Sequence, residues 1–383
     1  MITGFATAEG TARYRDRFPQ LRDAGHFRQP EWVSDLAGLS LSSIGAGTYL
    51  GDADDDADRT YTAALAEALR SGVNVVDTAI NYRHQRSERN LGAAIAELIA
   101  AGQLQRDEVL VCTKAGFLTL DGNVPPDPRA YFTKEYFETG IIQPEEIVGG
   151  MHCMAPRFRA DQIERSRQNL GLETIDVFYV HNPETQLGEI PPTEFVERLT
   201  AAFAELEEAV KAGKIRWYGV ASWNAFRVAP GERGYMPLEA VMAAAFEAGA
   251  QGHHLRFIQL PFNLAMPQAW SANNQQFQEE EVAALEFAHR FGLGVIGSAT
   301  LAQGQLTEQL PEFVTKKLGM KSAAENAIQF ARSAPGIVTA LVGMGRPEHV
   351  KADLAVASNP PTDLDQWRSL FRSQPSPAKS QGQ

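Results

Sequence analysis

Eight short apolar runs, each followed by a stretch of helical spacing, set the limits on what this chain can fold into. They are SSIGAG (42–47), NVVD (74–77), VLVCT (109–113), IDVFYV (175–180), IRWYGVA (215–221), FIQL (257–260), LGVIG (293–297) and TALVG (339–343). Between them lie segments such as RTYTAALAEALRSG, SERNLGAAIAELIAAG and PTEFVERLTAAFAELEEAVKAGK, with apolar residues at helical spacing and Gly at several ends. Strands that are apolar on both faces and alternate with helices predict a parallel sheet covered by helices.

Two architectures satisfy that alternation, an open doubly wound sheet and a closed barrel. An open nucleotide-binding sheet should carry G-x-G-x-x-G at its first strand–helix turn. Here the turn reads GAGTYLG, with Gly45, Gly47 and Gly51, and the acidic DADDDAD that follows would repel a pyrophosphate. A count of eight favours the α/β barrel, an eight-stranded (β/α)8 TIM barrel over residues 38–358. An N-terminal arm or plug is expected over 1–37, and residues 359–383 as a C-terminal segment ending in the flexible tail SQPSPAKSQGQ. The gap between the third and fourth strands, 116–157, is too long for a plain connection, so a functional insertion is expected there. Its Tyr131, Phe132, Tyr136 and Phe137 suggest a wall or lid over the pocket, with an oligomer contact as the rival reading.

Composition narrows the partners. A formal net charge of -12 argues against a nucleic-acid surface and against adsorption to anionic lipid. Two cysteines, Cys112 and Cys153, cannot form a disulfide framework, and no stretch has signal-peptide or membrane-spanning character. The expectation is a cytoplasmic protein with a small-molecule partner.

In a parallel barrel the chemistry sits where strands deliver their C-terminal residues. Those positions give Asp77, with Tyr82 in the following loop, then Lys114, His181, Ser222 and Gln259. Each has an ordinary explanation alone: a turn lysine, a strand-capping histidine. Together they form a coherent set. An ammonium near a phenol favours phenolate and lowers its pKa, and a carboxylate keeps the ammonium charged and oriented. A phenol so tuned exchanges a proton with a carbonyl or alcohol oxygen, to which His181 donates a hydrogen bond. The set lacks an electron source, which a reduced nicotinamide would supply.

The motifs VVDTAINY...SERNLG, VCTKAG, IDVFYVHNPE and IRWYGVASWN, in this order, resemble the aldo-keto reductase superfamily. The resemblance implies a (β/α)8 barrel and NADP- or NAD-dependent reduction of a carbonyl, or oxidation of the alcohol. By position it makes Tyr82 the general acid, Lys114 and Asp77 its tuning pair, and His181 the residue that orients substrate. It places Gly47, Thr48 and Tyr49 along the nicotinamide ribose, and Asn182, Ser222 and Gln259 at the carboxamide. SATLAQGQL (298–306), with Ser298, Leu301 and Gly304, would cover the pyrophosphate. LVGMGRPEHVKADL (341–354), with Gly343, Arg346, His349 and Asp353, would hold the adenosine end. The departures are Ser298 where the family has a stacking Tyr, Ala221-Ser222 for its Ser-Asn pair, and His349 for an adenosine-loop Arg. They leave NAD versus NADP open, with Arg346 as the remaining partner for a 2'-phosphate. The competing functions are a nicotinamide-sensing regulatory barrel and a nicotinamide-dependent epimerase or lyase.

Three local features carry alternative readings. Arg83 and Arg86 of RHQR either hold an anionic substrate or are surface charges before a helix capped by Ser87. His152-Cys153 and His253-His254 lack the spacing of a zinc site, so no metal is expected. Trp223, just past the fifth strand, either walls the pocket or packs in the core.

Overall fold

The computed structural model describes residues 1–372; the expected tail, 373–383, lies outside them. Eight parallel strands close into a barrel in chain order: β1 (Ile44–Gly47), β2 (Val75–Asp77), β3 (Leu110–Ala115), β4 (Ile175–His181), β5 (Ile215–Ala221), β6 (Leu255–Pro261), β7 (Gly294–Ser298) and β8 (Ile337–Gly343), which returns to β1. Each anticipated run overlaps one barrel strand; in the first, Ser42 belongs instead to a short separate strand, Leu41–Ser42. Their Val, Ile, Leu and Phe side chains fill both faces, one toward the helices and one into the barrel.

The helices follow as expected: α1 (Asp55–Arg70), α2 (Arg86–Ala100), α3 (Pro156–Leu170), α4 (Pro192–Lys211), α5 (Leu238–Gly249), α6 (Ala284–Phe291), α7 (Ala323–Arg332) and α8 (Pro347–Leu354). The acidic run that argued against a phosphate starts α1: the Asp54 side chain accepts from Ala57 N, and Asp55, Asp56 and Asp58 occupy the first turn. Negative charge there complements the helix dipole. Gly171 and Gly292 end α3 and α6 in the left-handed conformation.

Register brings the strand ends to one level. Gly47 pairs with Asp77, His181 with Ala221, Ala221 with Gln259, Pro261 with Ser298, and Gly343 with Gly47. The opposite end is closed by the first forty residues. Ala6, Val33, Leu36 and Leu39 pack with Val75, Leu110, Val177, Trp217 and Phe257 in the barrel interior. This segment also holds a helix, Ala8–Asp16, that its sequence did not announce, because its buried face is made of Gly10, Thr11 and Tyr14. Beyond residue 358 the chain continues to pack: Trp367 is fully buried, its indole N–H donating to Phe330 O at 2.8 Å.

The insertion forms a small core of its own. Leu118, Tyr136, Ile142 and Cys153 bury against Phe158 of α3, with Tyr131, Phe132 and Phe137 around them. The aromatic residues that suggested a lid thus cover one another and α3. Of residues 116–157, only Phe117 lines the central cavity.

Candidate active site

A cavity of about 850 Å³ opens at the level where the strands end. That volume falls in the ~300–1,000 Å³ range of cofactor and small-molecule sites. Gly47, Thr48, Tyr49, Asp77, Tyr82, His181, Asn182, Ser222, Gln259, Ser298, Leu301, Gly304, Gly343, His349 and Asp353 all line it. Lys114 lies just beneath, fully buried, and Arg346 is exposed at the start of α8 outside the lining.

The centre is a buried ion pair. Lys114 Nζ donates to Asp77 Oδ1 at 2.5 Å and to Thr78 O at 2.6 Å, and Gln259 Nε2 donates to Asp77 Oδ2 at 2.8 Å. Burial by itself would depress the Lys114 pKa, but the Asp77 carboxylate more than offsets it, so the ammonium stays charged. The loop after β2 remains pinned to β3 (Thr78 N to Cys112 O, 2.9 Å; Ile80 N to Lys114 O, 3.1 Å) and delivers Tyr82 over the lysine. Lys114 Nζ lies 4.8 Å from the centre of the Tyr82 ring. The balance on the phenol corrects the expectation of a lowered pKa: burial raises it, and the pull of Lys114 is not enough to reverse that. At neutral pH the phenol therefore carries its proton.

His181 stands edge-on to Tyr82, with ring centres 5.8 Å apart. Burial, and then the Lys114 charge, hold its imidazole well below the usual range, so it is neutral at pH 7 and donates through one N–H. Its Nδ1 is buried without a partner among the described residues.

Ser222 lines the cavity, but its hydroxyl is committed. It donates to Glu184 Oε1 at 2.9 Å and accepts from Ala225 N at 2.7 Å, so it holds the loop after β5 and is not free to donate to a carboxamide. Gln259 has one amide end on Asp77 and its Oε1 uncommitted. Asn182 faces the cavity from a left-handed backbone (φ 46°), a conformation Asn tolerates better than most residues.

The RHQR segment is neither a substrate clamp nor a plain surface. Buried Arg83 donates to Asp52 O, Asn90 Oδ1 and Asp58 Oδ1, and Arg86 to Gly122 O and Asp55. Ser87 does not cap α2; its hydroxyl donates to Thr48 O at 2.9 Å, and Gln85, at φ 71°, holds the cap position. Trp223 lines the cavity mouth, 41% exposed. Among the described residues no three His, Cys, Asp or Glu side chains gather as a metal would require, and no helix is long and apolar enough to cross a membrane.

Asn81, Phe117 and Thr307 line the cavity without having been singled out in the sequence, Thr300 and Gln303 were marked only as part of 298–306, and Glu184 stands behind Ser222. Phe117 and Thr300 each lie two residues past a strand end and were open to the rule that found Lys114. Glu184 had no such signal.

The fold and this site define a (β/α)8 barrel whose mouth holds a phenol, an imidazole and a buried lysine–aspartate pair. The aldo/keto reductase family model matches residues 43–372, and the chain belongs to that family. It is 25% identical over 249 residues to aldo-keto reductase AFTS1 of Alternaria alternata, covering 65% of this chain and 57% of that one. It is 30% identical over 198 residues to a D-threo-aldose 1-dehydrogenase of Pseudomonas sp, covering 50% and 53% respectively. The chain thus spans little more than half the length of these relatives. A solved aldo/keto reductase from Klebsiella pneumoniae, in complex with NADP and acetate, shares the fold with a TM-score of 0.59 and 20% identity, over 88% of this chain and 94% of that one.

Proposed function

We propose that this protein is a nicotinamide-dependent oxidoreductase that reduces an aldehyde or ketone, or oxidises the corresponding alcohol. The observation that carries the reading is the Tyr82 phenol edge-on to the His181 imidazole, above the buried Lys114–Asp77 pair. A carbonyl oxygen lodged between the two rings would take a hydrogen bond from each. Tyr82 would surrender its proton as negative charge develops there, with the Lys114 ammonium stabilising the phenolate left behind. In the oxidising direction the same phenolate accepts the alcohol proton.

The family implies a nicotinamide dinucleotide, which would supply or accept the hydride when bound. Three observations support the fit. Asn182 and the Gln259 Oε1 offer amide groups to a carboxamide beside Asp77. Along 298–306 the Thr300 Oγ1 is buried without a partner among the described residues, and Ala299, Ala302, Gln303 and Gly304 all have positive φ. Such backbone turns N–H groups toward an anion, and strain of this kind collects at ligand sites. Among the described residues the lining includes no Lys or Arg, so backbone amides and the starts of α7 and α8 would hold the phosphates. At the adenosine end, Arg346 outside the lining and a carboxyl at Asp353 support weak or absent preference for NADP. The cytoplasm is the compartment this reading implies, with both cysteines free and buried.

The test is a panel of aldehydes, ketones and sugars followed at the nicotinamide absorbance with both cofactors. Net, stoichiometric oxidation of the reduced cofactor supports the reading. Substrate conversion without net cofactor turnover would identify an epimerase or lyase. Cofactor binding without conversion of any compound would identify a regulatory barrel. Either of these last results overturns the proposal.

A further inference from the structure

The insertion's neck touches the site from behind. Where β3 ends, Ala115 is paired with Val180, one residue short of His181. The chain then runs back to meet its own return strand: Phe117 bridges His152, Leu118 N donates to Met151 O at 2.8 Å, and Cys153 N donates to Gly116 O at 2.7 Å. This clasp sets the fully buried His152 ring against the end of β4, with its Nε2 2.8 Å from the His181 carbonyl oxygen. Gly116 makes the approach possible, since a Cβ there would lie 2.3 Å from that oxygen and 2.9 Å from His152 Nε2. Phe117 fills the space between the two imidazoles, edge-on to both, at 5.0 Å from His152 and 5.4 Å from His181.

The tautomer of His152 follows from its partners. The Gln186 side-chain amide donates to His152 Nδ1 at 3.1 Å, and Arg198 donates to Gln186 Oε1 at 3.4 Å, which fixes the amide's orientation. Nδ1 is then the acceptor and Nε2–H the donor to His181 O. Burial holds the His152 pKa down, to about 4, although the hydrogen bond to the His181 carbonyl pulls the other way. The ring is neutral over the whole neutral range, and its Nδ1 lone pair stays available to Gln186.

We propose that His152 is a positioning residue: through its Nε2–H on the main-chain carbonyl of His181, and through Phe117 between the rings, it fixes the place and angle of the His181 imidazole. The insertion serves the reaction as a brace behind the site. The inference rests on the reading above in one respect, that His181 orients the substrate. The geometric part, that His152 sets His181, stands apart from it.

Two variants of His152 separate a hydrogen-bonding role from packing. His152→Phe keeps an aromatic ring beside Phe117 and removes both hydrogen bonds. His152→Gln restores an N–H donor toward the carbonyl. In ¹⁵N-histidine-labelled protein without substrate, the His181 ring signals are expected to shift in the Phe variant and to stay near wild type in the Gln variant. In turnover assays the Phe variant is expected to lose between about 10- and 100-fold in kcat, the scale of a displacement near 1 Å. Its cofactor Kd, read by fluorescence, should change less than about threefold. If His152→Phe fails to fold, His152→Leu, which also removes the Nε2–H donor to the His181 carbonyl, is read the same way. Unmoved His181 signals in the folded Phe or Leu variant overturn the proposal, as do Phe and Gln variants that behave alike. A wild-type protein without carbonyl turnover would sink the functional reading and leave the ring signals to decide this one.

Discussion

Asp353 is a cavity-lining carboxyl whose ionisation changes the charge offered to a ligand. It is 8% exposed, lines the central cavity, and its side chain makes no hydrogen bond among the described residues. Burial, with Glu325 as the nearby like charge, raises its pKa from 3.8 to about 7. The sign is that of an acid raised by folding. Its contribution to stability is fully present below about pH 4 and is lost as pH climbs through about 7, where the buried group must ionise. At pH 6 the group is mostly a neutral carboxylic acid, and at pH 8 a carboxylate that, in the proposed cofactor site, would accept from a ribose hydroxyl and repel a 2'-phosphate. The ratio of NAD to NADP affinity is therefore expected to rise severalfold between about pH 6 and pH 8, and Asp353→Asn to flatten that rise. Fluorescence titrations of both cofactors at the two pH values check this. A ratio that is flat in the wild-type protein would remove Asp353 from the cofactor site.

The left-handed turn after Tyr82 is the element that the sequence concealed. Arg83, His84 and Gln85 have φ of 49°, 56° and 71°, three successive residues in a region that costs an L-residue roughly 1–2 kcal/mol each. No Gly or Asn marks it, so RHQR reads as an ordinary loop before a Ser-capped helix. Distant partners impose the turn: Arg83 reaches Asp52 O and Asn90, Gln85 Nε2 donates to Leu120 O at 3.0 Å, and Gly122 N donates to His84 O at 2.8 Å. His84 itself has no side-chain hydrogen bond among the described residues. His84→Gly should thus be neutral or stabilising, whereas the β-branched His84→Val should cost about 1–2 kcal/mol. Urea denaturation compares them, and equal midpoints would show that the turn is not strained at this position. The same contrast runs through the other elements. The eight strands were legible because burial on both faces leaves continuous apolar runs, and Asp77, Lys114 and His181 because strand ends share one rim. His152 was not: its partner is 29 residues away, and only the clasp of the insertion brings the two together.

At the scale of the molecule the barrel is supported from both sides. Below, the first forty residues plug the interior and are pinned by Asp176, which accepts from Ala6 N at 2.6 Å, Arg106 Nη2 at 2.6 Å and Val111 N at 2.8 Å. Above, the insertion grips the loop of Tyr82 through Leu120 and Gly122 and the end of β4 through His152. Ala6 and Asp176 are 170 positions apart, so a local reading of pattern gives an arm without its attachment. These supports hold a phenol and an imidazole against one cavity, with the phenol as the proposed proton donor. Single-turnover reduction by Tyr82→Phe, with the protein preloaded with reduced nicotinamide and mixed with the best substrate of the panel, measures that step. Hydride transfer is expected to slow by about 10²–10⁴-fold with cofactor Kd nearly unchanged, as for loss of a general acid. A variant that keeps more than about a tenth of the wild-type rate would contradict it.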